Sequence, residues 1–96
     1  MYVVVFRARI AELDDDYYQV AEKMRKLAME KYGCRGFASL REGDEEIAIS
    51  YWENEKQIQA WKADAEHVQA QKKGRSKWYR SCHVQVAKVV REYGSI

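Results

Sequence analysis

The order of hydrophobic periodicities along the chain constrains its fold more than any other feature. Alternation with a period of two residues, typical of β-strands, predicts four strands, at residues 2–10, 35–42, 46–53 and about 82–93. Apolar spacing of three to four residues predicts a helix between the first two strands and another after the third, followed by a helical stretch at about 66–79. The order β-α-β-β-α-(α)-β is that of the split βαβ motif. We therefore predict an α+β fold of the ferredoxin-like type, with helices on one face of a four-stranded antiparallel sheet.

Polar residues mark where the predicted helices begin and end. The three aspartates at 14–16 are N-cap candidates, and their charge favours a helix N-terminus. Asn54 and Gln57 form a capping-box pattern at the start of the second helix. Gly33 is a predicted helix stop, and Gly43 lies in a polar segment that we expect to be the hairpin loop between the second and third strands.

The predicted strands carry apolar side chains on both faces. In the first strand, Val4 and Phe6 point to one side of the sheet while Val3 and Val5 point to the other. The helices of one chain can cover only one of these faces. The second face needs a partner, for which another copy of the chain is the simplest choice. We therefore predict a homodimer in which two sheets pack face to face and can close into a barrel.

Length and charge restrict the classes of protein. The 96 residues suit a single domain over 1–96, whose small core makes oligomerisation a common remedy. Seventeen basic and fifteen acidic side chains nearly balance at a net charge of +2, so we expect no nucleic-acid partner. The apolar runs are far shorter than the roughly 20 residues of a membrane span, and the N-terminus lacks a signal-peptide pattern. We expect a cytoplasmic protein without a membrane partner.

Strong catalytic and metal-binding motifs are absent from the sequence. It contains no phosphate-binding or dinucleotide-binding glycine motif and no zinc-protease motif. The two histidines, His67 and His83, and the two unpaired cysteines do not supply the ligand set of a metal site. We therefore expect no bound metal.

Aromatic residues are the main candidates for a binding site. A cavity between sheet and helices could be lined by Phe6, Phe37, Trp52, Trp61, Trp78 and Tyr79. Such rings, together with a histidine and the polar Gln71, fit the usual ligand pocket, although an aromatic-rich core would use the same residues. A turn near residue 65 would bring His67 over the Trp61 ring; otherwise His67 caps or packs at a helix junction. The basic run 72–77, which includes Arg75, could attract an anionic ligand such as a carboxylate, or could be a solvated helix face.

Two segments resemble a known family. Trp52-Glu53-Asn54 and, further on, Ala60-Trp61 resemble the W-E…a-W segment of the antibiotic-biosynthesis-monooxygenase family. The continuation, residues 66–75, is close to the EHxxAQxxGR run of one bacterial branch of it, and Gly36-Phe37 matches a Gly-Phe position before the second strand.

The resemblance implies a dimeric α/β barrel with a pocket between sheet and helices in each subunit. The family includes oxygenases that oxidise electron-rich phenols or quinols with O₂ and need neither metal nor flavin. It also includes haem-degrading enzymes, which use an Asn, a Trp and a haem-ligating His. This chain keeps the Trp as Trp61, but Phe6 and Arg7 stand where the Asn is expected. The ligating His position falls near Ala70 or Gln71, about one helical turn after His67.

Three functional hypotheses follow. In the first, the chain is a cofactor-independent monooxygenase for a small aromatic or quinol-like molecule. His67 then moves a proton and Trp61 shapes the pocket, as its catalytic residues, while the substrate contacts Phe6, Trp52, Gln71, Arg75 and Trp78. In the second, haem is a cofactor or substrate bound through His67. In the third, the chain is a non-catalytic dimeric small-molecule-binding or stress-related domain, since fold does not determine function.

Overall fold

A computed structural model describes residues 1–94 of the chain. In chain order, the elements are β1 (Tyr2–Ile10), α1 (Asp15–Lys31), β2 (Gly36–Glu42), β3 (Glu45–Trp52), α2 (Glu55–Ala63), α3 (Ala65–Lys73), a π-helical turn (Gly74–Trp78) and β4 (Tyr79–Lys88). The predicted α+β architecture is confirmed, because these elements follow the ferredoxin-like order and the strands form one antiparallel sheet.

The sheet has the strand order β2-β3-β1-β4, so β1 and β3 are central. Val4 of β1 lies opposite Ser50 of β3 and Val86 of β4, and Phe37 of β2 lies opposite Ser50. Residues that lie opposite one another in an antiparallel ladder point to the same face. This register assembles one face, the helix face, from the even-numbered positions of β1 and β3, the odd-numbered positions of β2 and the even-numbered positions of β4 from Cys82 onward. A register shift at the start of β4 places Tyr79, opposite Ile10, on the same face.

The core lies between the helix face and the helices. Its fully buried centre is Trp52, which packs in one cluster with Val4 of β1, Met24 and Ala28 of α1, and Ile58 of α2. Met24 and Ala28 are four residues apart, so they share one stripe of α1. Burial of a large aromatic ring is worth several kcal/mol, roughly 3–5 by the effect of truncation to Ala. The packing of α1 and α2 on Trp52 therefore fixes how the helices lie on the sheet.

Side-chain caps define where the helices start. Asp14 accepts a hydrogen bond from the backbone N–H of Tyr17 at 2.9 Å, and Asn54 accepts one from Gln57 at 3.0 Å, as the sequence predicts. Gln57 in turn accepts a hydrogen bond from the N–H of Glu53 at 3.1 Å, one residue earlier than in the standard capping box. Gly33 has φ +80°, a left-handed conformation that favours glycine, and it follows the C-terminus of α1.

Asp64 separates α2 from α3. Its backbone is extended, with φ −58° and ψ 137°, so the helix cannot continue through it. Its N–H donates to the carbonyl of Trp61 at 3.1 Å, and its carboxylate accepts from the N–H of Glu66 at 2.9 Å. One aspartate thus ends one helix and caps the next, and the chain changes direction between Trp61 and His67.

The last third of the chain differs from the predicted boundaries. The helical stretch expected at 66–79 is divided into α3 and the π-helical turn, which closes through a hydrogen bond from the Tyr79 N–H to the Gly74 carbonyl. The strand expected at 82–93 begins already at Tyr79 and ends at Lys88. β4 ends at Lys88 because it is an edge strand whose partner in the described sheet is β1, and β1 begins at Tyr2, opposite Lys88. One further hydrogen bond, from the Val89 N–H to the Met1 carbonyl at 3.0 Å, completes the pairing.

The opposite face of the sheet, here called the open face, carries Val3, Val5, Ile47, Ile49 and Tyr51. The helices pack on the other side, and these side chains remain partly exposed. None of the helices in residues 1–94 is long and apolar enough to cross a membrane.

Candidate functional site

A cleft of about 730 Å³ lies between the helix face of the sheet and the helices. Strand residues such as Val4, Phe6 and Ala48 form its floor, and side chains of α1, α2, α3 and the π-helical turn form its walls. Its size is that of a pocket for a small organic molecule. The lining is mainly apolar and aromatic, with a few polar groups at defined places.

One polar group is the pair formed by Trp61 and His67. The imidazole of His67 stands against the indole of Trp61 with 4.3 Å between ring centroids and 70° between ring planes. On its other sides, Trp61 contacts Trp52 at 5.2 Å and Phe37 at 6.3 Å between centroids. The two residues are six positions apart and would not share a face of one straight helix. The chain changes direction at Asp64, and this break brings His67 back over Trp61.

Both rings of the pair keep an unused nitrogen. Nε1 of Trp61 and Nδ1 of His67 are buried, and neither has a hydrogen-bond partner within the described residues 1–94. A buried polar atom without a partner carries a desolvation penalty of roughly 1–3 kcal/mol. The indole nitrogen is a donor, and the imidazole nitrogen donates or accepts according to its tautomer. Each nitrogen therefore has one hydrogen bond still to form, and a molecule in the cleft reaches it when the neighbouring side chains move, because neither atom is exposed.

The environment of His67 favours its neutral form. Burial lowers the pKa of the imidazole below its ordinary value of 6.5, and the positive charge of Lys62 lowers it further, against the opposing effect of Asp64. Desolvation always disfavours the charged form of a titratable group. At pH 7 the imidazole is therefore neutral and able to accept a proton.

A second polar group joins α1, β3 and β4 at another part of the cleft. The buried carboxylate of Glu46 accepts a hydrogen bond from the hydroxyl of Tyr17 on one oxygen and from that of Tyr79 on the other, the latter at 2.7 Å. Burial raises the pKa of both phenols, and their hydrogen bonds to Glu46 raise it further, so they remain protonated donors. No sequence motif marks this cluster, although Glu46 lies six residues before Trp52 and therefore shares its buried face.

The cleft brings together most of the residues that the sequence singled out. Its lining includes Phe6, Trp61, His67, Gln71, Arg75 and Trp78. Trp52 is different, because it is fully buried behind Trp61 and its Nε1 donates to Ser50 at 2.8 Å. The expectation that Trp52 contacts a ligand is therefore replaced by a supporting position under Trp61.

The basic run 72–77 contributes less to the cleft than expected. Lys73 forms an ion pair with Asp16 at 2.8 Å, and Lys77 forms one with Asp14. These two lysines connect the end of the helical segment to the start of α1. Arg75 is the basic residue of the run that lines the cleft.

The carboxylates and histidines of residues 1–94 do not form a metal site. No group of three or more His, Cys, Asp or Glu side chains in this part of the chain is arranged to hold a metal ion.

Fold and cleft together define a small α+β protein with an open, mainly aromatic cleft between sheet and helices. The chain belongs to the antibiotic biosynthesis monooxygenase family, whose model matches residues 1–73. It is 42% identical to the uncharacterized protein YqjZ of Bacillus subtilis (strain 168) over 92 residues, which are 95% of this chain and 81% of that protein.

Solved structures show the same fold at low sequence identity. SnoaB, a cofactor-independent oxygenase from Streptomyces nogalater, superposes with a TM-score of 0.81 at 12% identity, covering 98% of this chain and 97% of that one. Rv0793 from Mycobacterium tuberculosis superposes with a TM-score of 0.78 at 13% identity, covering 97% and 98%. At such identities the likeness shows the fold alone.

Proposed function

We propose that this protein is a monooxygenase that oxidises an aromatic, quinol-like substrate with O₂ and without metal or flavin. The observation that carries the proposal is the Trp61–His67 pair, a neutral imidazole beside an indole with an unused nitrogen on each ring, at the wall of an aromatic cleft. Family membership and the fold shared with SnoaB, a cofactor-independent oxygenase, support it.

The proposed reaction needs a base more than it needs a cofactor. His67 accepts the proton of the substrate hydroxyl, and the resulting phenolate is electron-rich enough to transfer electrons to O₂. For a simple phenol the balance is phenol + O₂ → quinone + H₂O. One oxygen atom enters the ring, the other leaves as water, and the substrate supplies all the electrons.

The other lining residues have positioning roles in this proposal. Phe6 and Trp78 contact the faces or edges of the substrate ring, and Gln71 and Arg75 orient its polar substituents. Trp61 donates a hydrogen bond from Nε1 to a substrate oxygen or to reduced oxygen as negative charge develops there. Donors that are aimed at developing charge before the reaction begins stabilise the transition state most.

Oxygen uptake with a panel of phenols and hydroquinones tests the proposal. We expect His67→Gln to lower the rate by about a hundredfold, the usual worth of a general base. His83→Gln is the matched control, because His83 lies opposite Arg7, on the face of the sheet away from the cleft. Equal rates for the wild type and His67→Gln would reject the base. Absence of uptake with every substrate would favour a ligand-binding domain without catalysis.

Haem binding through His67 is the second candidate. An axial ligand needs a free imidazole nitrogen; Nδ1 of His67 has no partner within residues 1–94, but it is buried, so haem would bind there with a shift of the surrounding side chains. A haemin titration should then produce a Soret shift that His67→Gln abolishes. No shift at micromolar haemin would remove this candidate.

We also propose that the protein works as a homodimer through the open face. The open face has a contiguous apolar surface whose side chains are each partly exposed: Val3, Val5, Ile47 and Ile49. Two such faces packed together would bury this surface in an isologous interface.

A further inference from the structure

The charged residues around the cleft are unevenly distributed. Its lining contains four basic side chains that form no ion pair within residues 1–94, namely Arg25, Arg41, Lys62 and Arg75. The lining contains two carboxylates, Glu22 and Glu46. Glu46 is already engaged by two tyrosine hydroxyls. The cleft therefore has an excess of positive charge without a partner from the described part of the chain.

Two of these cations flank the end of the cleft that holds Trp61. The guanidinium of Arg25 lies 5.9 Å from the centroid of the Phe37 ring and donates to the Phe37 carbonyl at 3.4 Å. Phe37 contacts Trp61 edge-on at 6.3 Å between centroids. Lys62 follows Trp61 in α2, and its charge lowers the pKa of His67. Arg25 from α1 and Lys62 from α2 thus place two positive charges beside one aromatic group.

The carboxylate of Glu46 lies toward the opposite end of the sheet. Trp52, on which Trp61 packs, is six residues from Glu46 along β3, which corresponds to about 20 Å of strand. An anion would be repelled by Glu46 and attracted by the two cations near Trp61. Because low-dielectric walls focus such a field, the two ends of the cleft differ in the charge that they favour.

We propose that the cleft binds an organic anion. Its flat, apolar ring system carries an anionic oxygen group, which lies between Arg25 and Lys62. The inference rests on the proposed function in that both place the ligand in this cleft. A carboxylate carried by the ligand and a phenolate formed in the cleft present the same chemistry to the two cations. In the phenolate case, they also stabilise the charge that forms when His67 accepts the proton.

Two dyes that differ by one charged group test the inference. The anionic dye 8-anilinonaphthalene-1-sulfonate and the neutral dye N-phenyl-1-naphthylamine share their ring system, and both fluoresce on entering an apolar site. We expect Arg25→Gln/Lys62→Gln to weaken binding of the anionic dye by about fivefold or more, the worth of two partly exposed charge contacts. Binding of the neutral dye should not change.

A matched double variant controls for charge as such. Lys26→Gln/Lys56→Gln removes the same net charge from the same two helices, but these lysines lie outside the cleft lining, whereas Arg25 and Lys62 belong to it. It should leave the affinity for both dyes unchanged. The inference is wrong if the two double variants weaken binding of the anionic dye equally, or if neither does. Arg25→Lys/Lys62→Arg keeps both charges and should keep the preference for the anionic dye.

Dye binding is an equilibrium measurement that needs no turnover, so it separates the two proposals. A charge preference that depends on Arg25 and Lys62 supports the inference even where no oxygen is consumed. Oxygen uptake by a protein whose dye binding is indifferent to Arg25 and Lys62 supports the monooxygenase and overturns the organic anion. Circular dichroism and the urea midpoint of each variant confirm that the fold is intact.

Discussion

The imidazole of His67 stands edge-on against the indole of Trp61, with 4.3 Å between the ring centroids. The contact joins α3 to α2 across the break at Asp64. His67 is half-buried, and its Nδ1 is fully buried without a hydrogen-bond partner in residues 1–94. A half-buried imidazole of this kind is less stable in its charged form, and two consequences can be measured.

The first concerns stability against pH. The pKa of His67 is lower in the folded state than in the unfolded state, so the unfolded state binds more protons between the two pKa values. The contribution of His67 to stability is therefore present at high pH and decreases as the pH falls through about 6.5, the unfolded value. Urea denaturation between pH 8 and pH 5 measures it. The stability of His67→Gln should fall less over this range than that of the wild type, and parallel pH profiles would contradict the shift.

The second consequence concerns the pH dependence of catalysis. A base must be unprotonated to act, and the pKa of His67 lies below 6.5. With a phenolic substrate, kcat/KM should therefore decrease only as the pH falls below about 6.5. The residual activity of His67→Gln should lack this decrease. A wild-type decrease centred well above that value would assign the base to another group.

Loss of one donor from the Glu46 cluster should destabilise the fold. In Tyr79→Phe, Oε2 of Glu46 loses the hydroxyl that donates to it at 2.7 Å in a buried setting. We expect the free energy of unfolding to decrease by about 1–3 kcal/mol. Tyr93→Phe is the control, since Tyr93 is 83% exposed. Equal urea midpoints for the two variants would show that the bond contributes nothing.

A charge in the middle of the open face should separate the proposed homodimer. Ile49 lies in β3 between Val5 of β1 and Ala38 of β2, so Ile49→Lys would place an ammonium group within a face-to-face sheet interface. Burial of an unpaired charge is strongly unfavourable. By light scattering, the wild type should have twice the mass of one chain and Ile49→Lys the mass of one.

A second lysine variant separates this effect from a general gain in solubility. Met29 is 43% exposed on α1, on the helix side of the sheet, so Met29→Lys should remain dimeric. A wild-type mass equal to one chain would contradict the interface proposed for the open face. A variant Ile49→Lys that remains dimeric would place the interface elsewhere.

Much of the fold follows from local patterns in the sequence. The β-branched and aromatic residues of 2–6 and the alternation over 7–10 predict a strand that matches β1 residue for residue, and Asp14 and Asn54 cap α1 and α2. These features depend on neighbours within one strand or one helical turn, which is why a single sequence carries them. Apolar residues at both odd and even positions of the strands predict a sheet that is apolar on both faces, and the register agrees with that assignment.

Contacts between different elements could not be predicted from local patterns. The sequence left open whether His67 lies over Trp61, because the answer depends on the extended backbone at Asp64. The sequence predicted that Trp52 contacts a ligand, whereas the packing of α2 on the sheet places Trp61 between Trp52 and the cleft. It also missed Glu46, whose two phenol partners are 29 and 33 residues away along the chain.

The sequence by itself therefore determined the elements, their order and the composition of each face of the sheet. Only the tertiary structure decided which side chains meet across the cleft. The physical reason is the range of the interactions. Periodicity and capping act within a few residues and can be identified one element at a time. The Trp61–His67 pair, the Glu46 cluster and the cations at Arg25 and Lys62 arise where three or more elements pack together, and their geometry is a property of that packing.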